Sequence, residues 1–227
     1  MTFDPFGDFE TQGYLRNLAK EKDLDIVRRL EHTSFTTGLD AALEYLGGIE
    51  RLSYPDVLET HQTLFEAVYP WAGQDRLATA PDLAISKGPV LFAWPQDIKR
   101  AVEFALNHGQ DREFMRAKPG VVMGYLAYAH PFLDGNGRTI MVVHGNMAQR
   151  AGFSLDWGTT SKDDYLSALT NELDAPDKGH LDAYLKPFIR GVVPADRLAL
   201  EIAKAPGLDG NEYGARKDHR PGTESAL

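Results

Sequence analysis

From about residue 24 onward, apolar side chains recur at three- and four-residue intervals, the spacing of helices with one buried face. Ile26 and Leu30 form one set, Leu39, Leu43 and Leu46 a second, and Val57, Leu64 and Val68 a third, with Gly and Pro marking the breaks. Pro55 opens the third, since proline is tolerated in a first helical turn. The texture changes at "LATAPDLAISKGPVLFAWPQDI", where short apolar runs flank "SKG" and prolines bound them; this predicts a small β-hairpin or an extended loop. Helical spacing resumes through "DIKRAVEFALNHG", "REFMRAKPGVVMGYLAYAHPF", "GNGRTIMVVHGNMAQRAG", "SKDDYLSALTNELDA" and "GHLDAYLKPFIRGVV". No internal repeat or sustained heptad is present in the sequence.

Composition narrows the function classes. The 227 residues are 43% hydrophobic with a formal net charge of −9, so a grip on nucleic-acid phosphates would need a local basic block, and the chain has none. There is no cysteine, which removes disulfides, thiolate zinc sites and cysteine nucleophiles together. The first twelve residues are acidic and lack the basic start and apolar run of a secretory signal, and no stretch is long enough to span a bilayer. The expectation is a cytoplasmic protein with neither nucleic-acid nor membrane partners. The last 22 residues, 206–227, are polar, rich in Gly and Pro and aperiodic, and read as a mobile tail.

The chemistry concentrates in "HPFLDGNGRT", residues 130–139. Pro131 biases the residue before it out of the α region, so one helix ends near Ala129. A second begins within "GNGRTIMVVHGNMAQR" and ends where Gly152 can take a left-handed cap. Gly135, Asn136 and Gly137 therefore fall at a helix N-terminus, where unpaired amides and the positive dipole end attract an anion. Arg138, in the first turn, is poorly placed for the dipole and well placed for a phosphate held there. Asp134 is a hard oxygen ligand beside that phosphate, suited to Mg²⁺ bridging a carboxylate and a polyphosphate. His130 can take a proton from a hydroxyl near neutral pH.

His130-Pro131-Phe132-x-Asp134-Gly135-Asn136-Gly137-Arg138 resembles the signature of Fic domains, H-x-F-x-[D/E]-G-N-G-R-x-x-R. "GYLRNL" at 13–18, "VYPWAGQDR" at 68–76 and "ISKGPVLFAWPQDI" resemble that family's entry segment, its segment ahead of the flap, and the flap itself. The resemblance implies an all-α Fic-type domain over residues 13–205, with an extension at 1–12, the tail at 206–227, and a small β-hairpin flap over a nucleotide cleft. It implies transfer of AMP from ATP to a Ser, Thr or Tyr hydroxyl of a target protein. His130 would be the general base and Phe132 the loop's anchor in the core. Asp134 would hold Mg²⁺, Gly135, Asn136 and Gly137 would cradle the α- and β-phosphates, and Arg138 would bind the β-phosphate and steady the departing pyrophosphate. Ser86, Lys87 and Gly88 at the flap would dock the target's backbone.

One position departs from the signature: Met141 stands where the family has a second arginine. In the family that arginine reaches the γ-phosphate, and its loss removes a charge-assisted contact worth about one to two decades of affinity or rate. Three readings follow. The cleft still holds ATP, with Lys87 or His144 helping; the donor is another phosphate compound such as CDP-choline, UTP or a different nucleotide; or the site binds nucleotide without turnover. Self-inhibited members of the family carry [S/T]-x-x-x-E-[G/N], a pattern this chain lacks. The resemblance thus suggests inhibition in trans by a small antitoxin, making the chain the toxin of a toxin–antitoxin pair. His61 and His180 read as structural or surface residues, and Trp71, Trp94 and Trp157 as packing anchors.

Overall fold

The computed structural model describes residues 17–87, the Lys87 side chain excepted, and 90–208. The expected extension at 1–12, Gly88 of the flap and the tail beyond Leu208 lie outside the described residues.

The architecture is helical. Its helices are α1 (Leu24–Gly48), α2 (Tyr54–Phe65), the single turn α3 (Arg76–Thr79), α4 (Ile98–Gln110), α5 (Arg112–Ala117), α6 (Pro119–Ala129), α7 (Asn136–Ala151), α8 (Lys162–Asp174), α9 (His180–Leu185) and α10 (Leu198–Ala203). Two small antiparallel pairs join them. β1 (Ser86–Lys87) pairs with β2 (Val90–Leu91) as the expected hairpin, and β3 (Ser154–Leu155) pairs with β4 (Ile189–Arg190).

The first two apolar sets belong to one helix. α1 runs unbroken through Gly38, which sits where α1 crosses α2 so closely that a Cβ would lie 2.4 Å from the Thr63 carbonyl oxygen. This glycine marks a helix contact and not a break. The buried stripe is Val27, Glu31, Ser34, Phe35, Leu39, Ala42, Leu43 and Leu46, whereas Ile26 is 42% exposed. β4 also departs from expectation, since "KPFIRGVV" leaves the helical pattern after Leu185 and its Ile189 pairs with Leu155.

α7 is the axis of the fold. Twelve of its sixteen residues are buried, and α1, α2, α4, α5, α6 and α10 pack around it. A helix covered on all sides has no solvent face through which to vary its position. Its N-terminus, with the motif glycines, is thereby fixed in place.

Candidate functional site

The motif loop connects α6 to α7 and is tied from three directions. His130 caps α6 in the left-handed region, at φ 40° and ψ 58°, a conformation that costs a non-glycine residue about 1–3 kcal/mol. Arg76 offsets that cost. Fully buried, it donates from Nε to the His130 carbonyl at 2.7 Å, from Nη1 to the Leu83 carbonyl at 3.2 Å and from Nη2 to the Ala93 carbonyl at 2.7 Å, while its own amide donates to the Pro131 carbonyl at 2.7 Å. One guanidinium thus joins the two legs of the flap hairpin to the motif histidine. The His130 ring stacks on Phe92, just past β2, with centroids 4.2 Å apart.

Below the loop, Phe132 is fully buried and stacks on His61 at 3.7 Å. His61 is fully buried as well. It accepts from the Gly73 amide through Nδ1 at 2.9 Å, so Nε2 carries the proton and donates to the Asp134 carbonyl at 3.1 Å. Burial holds its pKa down at about 3, which keeps this ring a neutral strut.

Asn136 closes the loop on itself. Its Oδ1 accepts from the Phe132 amide at 2.8 Å and its Nδ2 donates to the Phe132 carbonyl at 2.7 Å. The same Nδ2 lies 3.4 Å from His130 Nε2, an approach that favours a lone pair on that nitrogen. The Asn136 side chain is therefore engaged inside the loop. Gly135 has φ 76°, and a Cβ there would lie 2.6 Å from the Phe65 ring. The Gly135 amide is already bonded to Asp134 Oδ1 at 2.5 Å. No described side chain caps α7, and Thr139 makes its first internal bond, to the Gly135 carbonyl. The amides of Asn136, Gly137 and Arg138 precede the first intrahelical bond and have no capping side chain among the described residues.

Gly137 and Arg138 of this helix start line a cavity of about 260 Å³, with Asp134, Met141, Lys162 and Tyr165 among its other walls. His130 does not line it and lies on the Phe92 side of the loop. Arg138 is only 14% exposed. Its Nη2 sits 3.1 Å from Glu31 Oε1 and 3.6 Å from Asp134 Oδ1, and its guanidinium lies over the Phe65 ring. Burial opposes the Arg138 charge, but Glu31 and then Asp134 outweigh it and raise the pKa. Burial raises the Glu31 carboxyl, Asp134 adds to the rise, and Arg138 and the Tyr69 hydroxyl at 2.6 Å pull it back. The sequence offered one signal for Glu31, a glutamate among the apolar positions of α1; Arg76 closes the "VYPWAGQDR" segment, but nothing there marked the role of its guanidinium.

Of the two groups expected to help at Met141, the Lys87 side chain is outside the described residues. His144 is fully buried, donates from Nε2 to the Pro119 carbonyl at 2.8 Å and does not line the cavity. The i+3 spacing placed it near Met141, but α7 is covered all round, so that face meets α6 and not the cleft. Burial holds the His144 pKa down at about 4. The unfolded chain binds this proton near pH 6.5 and the folded chain does not, so stability present above pH 6.5 is lost as pH falls toward 4. His144→Gln, which keeps a donor for Pro119, is expected to recover about 2 kcal/mol of that loss at pH 5. Urea titrations at pH 7 and pH 5 read the change, and an unaltered pH slope would contradict it.

Trp71 and Trp157 are buried anchors, but Trp94 is 48% exposed at the foot of the flap. Among the described residues no helix is long and apolar enough to cross a membrane, and no cluster of three His, Asp or Glu could hold a metal by itself.

The Fic/DOC family model matches residues 51–147, the stretch from the turn before α2 into α7 that contains the hairpin and the motif loop. The chain is 28% identical over 174 residues to the protein adenylyltransferase VbhT of Bartonella schoenbuchensis, covering 73% of this chain and 35% of that one. It is 27% identical over 199 residues to the probable protein adenylyltransferase y4lH of Sinorhizobium fredii, covering 84% and 90%. The chain thus spans about a third of VbhT and most of y4lH. Among solved structures, BepC of Bartonella tribocorum with bound AMPPNP superposes with a TM-score of 0.66 at 18% identity, covering 81% of this chain and 96% of that one. A Fic domain of Bartonella quintana with bound ADP also gives 0.66, at 21% identity over 85% and 96%. The helical fold is the one these structures share with this chain, and within it residues 51–147 match the Fic/DOC family model.

Proposed function

We propose that this chain transfers AMP from MgATP to a Ser, Thr or Tyr hydroxyl of a protein. The observation that carries the reading is the uncapped start of α7, opening on a cavity beside Arg138, with His130 on the flap side of the same loop. Phosphates and acceptor then approach from two sides of one clamped loop. The amides of Asn136, Gly137 and Arg138 hold the phosphates, with Gly135 supplying the left-handed turn that aims them. His130 Nε2 takes the hydroxyl proton as the oxygen bonds to the α-phosphorus and the α–β bridge breaks, releasing pyrophosphate. Arg138, held by Glu31, steadies the leaving group.

Asp134 fits Mg²⁺ in the manner of a single carboxylate acting with substrate phosphates and water. It is 53% exposed and lines the cavity, and among the described residues no all-protein cage surrounds it. The ion, when bound, would neutralise charge on the phosphate oxygens. Ser86 and Lys87 of β1, with Gly88, would dock the target backbone along the hairpin edge. Regulation is assigned to a partner in trans, a small antitoxin, because the sequence carries no [S/T]-x-x-x-E-[G/N] segment.

Incubation with Mg²⁺ and ATP, CTP, UTP or CDP-choline, followed by intact-mass and peptide mass spectrometry of the protein and of added lysate, tests this. An AMP adduct from ATP alone is the expected result. An adduct carrying a different phosphate group would replace AMP with another donor, and no adduct from any of them would leave a nucleotide-binding module and overturn the reading.

A further inference from the structure

The missing arginine leaves a question of charge. A donor with two or three phosphates brings more negative charge than Arg138 can meet, particularly with Arg138 already paired to Glu31. Met141, at the position of the lost arginine, lines the cavity with a thioether. The wall of that same cavity contributed by α8 contains a lysine, Lys162, beside Thr160 and Tyr165.

Two features make this lysine unusual. It occupies the first position of α8, where the helix dipole disfavours a cation and where Ser161 already caps the helix through the Asp164 amide. Arg138 violates the same preference in the first turn of α7. Among the described residues, the two cations that line the cavity are thus both set against a helix dipole. The lysine is also held in place. The turn at Gly207 lies against it so closely that a Cβ there would sit 3.0 Å from Lys162 Cδ and 3.1 Å from Nζ. That turn, Ala205–Leu208, forms another part of the cavity wall, and Ala205 and Leu208 pack on the core.

We infer that Lys162 supplies from α8 the cation that α7 lacks at Met141, binding the terminal phosphates of a nucleoside polyphosphate in the cleft. This rests on the nucleotide reading above and adds a phosphate-binding residue to it. An ammonium serves as a point charge for phosphate and needs no fixed fork geometry, so a lysine reaching from a neighbouring helix can replace an arginine on the motif helix itself.

The test measures Mg²⁺-dependent binding of ATP, CTP and UTP and of the matching monophosphates to the full chain, to Lys162→Ala, to Lys162→Arg and to Lys162→Ala/Met141→Arg, with thermal melting of each. For the base that the unaltered chain binds, Lys162→Ala is expected to weaken the triphosphate about ten- to hundredfold, the effect of one charge-assisted contact, and to leave the monophosphate nearly unchanged. Lys162→Arg and the double variant should recover most of the triphosphate affinity. Equal weakening of triphosphate and monophosphate, no weakening of either, or failure of Met141→Arg to recover affinity would overturn this inference while leaving the nucleotide reading intact. Absence of binding by the unaltered chain would overturn both.

Discussion

Replacement of His130 by alanine is expected to slow AMP transfer about 10²- to 10⁴-fold, the usual contribution of a positioned general base, while nucleotide affinity stays near that of the unaltered chain. The split follows from placement: the cavity at the start of α7 is lined by Asp134, Gly137 and Arg138, whereas His130 lies on the other side of the loop against Phe92. Because His130 sits at φ 40°, a change of side chain also acts on the backbone. Asparagine tolerates the left-handed region better than alanine and cannot serve as a base, so His130→Asn should lose transfer to the same degree with the loop undisturbed. Transfer rates from mass spectrometry and affinities from calorimetry give the two quantities separately. Transfer that survives in both variants would remove His130 from the base role, and a parallel loss of nucleotide affinity would show that the loop had moved.

Glu31→Ala carries the second large effect, this time on stability. Glu31 and Arg138 side chains are 7% and 14% exposed and face each other at 3.1 Å. Removing Glu31 leaves the buried Arg138 charge with only the half-exposed Asp134 carboxylate at 3.6 Å, which costs about 3 kcal/mol, above the worth of a surface pair. The Tyr69 hydroxyl also loses its acceptor. Glu31→Gln, which retains an oxygen for Tyr69, should cost less. Chemical denaturation at pH 7 measures both. A loss below about 1 kcal/mol for Glu31→Ala would class the pair with solvent-exposed ones and remove its role in holding Arg138.

Much of the site is legible in the order of the amino acids, because it is written in local rules. Pro131 ends one helix, Gly152 ends the next, Ser161 starts a third, and each is found where backbone sterics or capping put it. The motif compresses loop, helix start and charged groups into ten residues, so spacing alone brings Asp134, Gly137 and Arg138 together. The hairpin is legible from its prolines and its change of period.

What tertiary structure decided are pairings between residues far apart in the chain. Gly38 reads as a break until α2 is laid against it. Arg76 looks like an ordinary helix-start residue until the flap and the motif loop close around its guanidinium. Position on α7 pointed to His144 as the helper at Met141, but only the packing of α6 over that face shows it buried, and only the return of α8 brings Lys162 to the cavity. Sequence by itself determined most of the helices and the boundaries at Pro131, Gly152 and Ser161, since these depend on period, dihedral preference and neighbours within a turn. Which buried charge meets which partner depends on chain closure, where desolvation forces each polar group to find whatever the fold sets beside it.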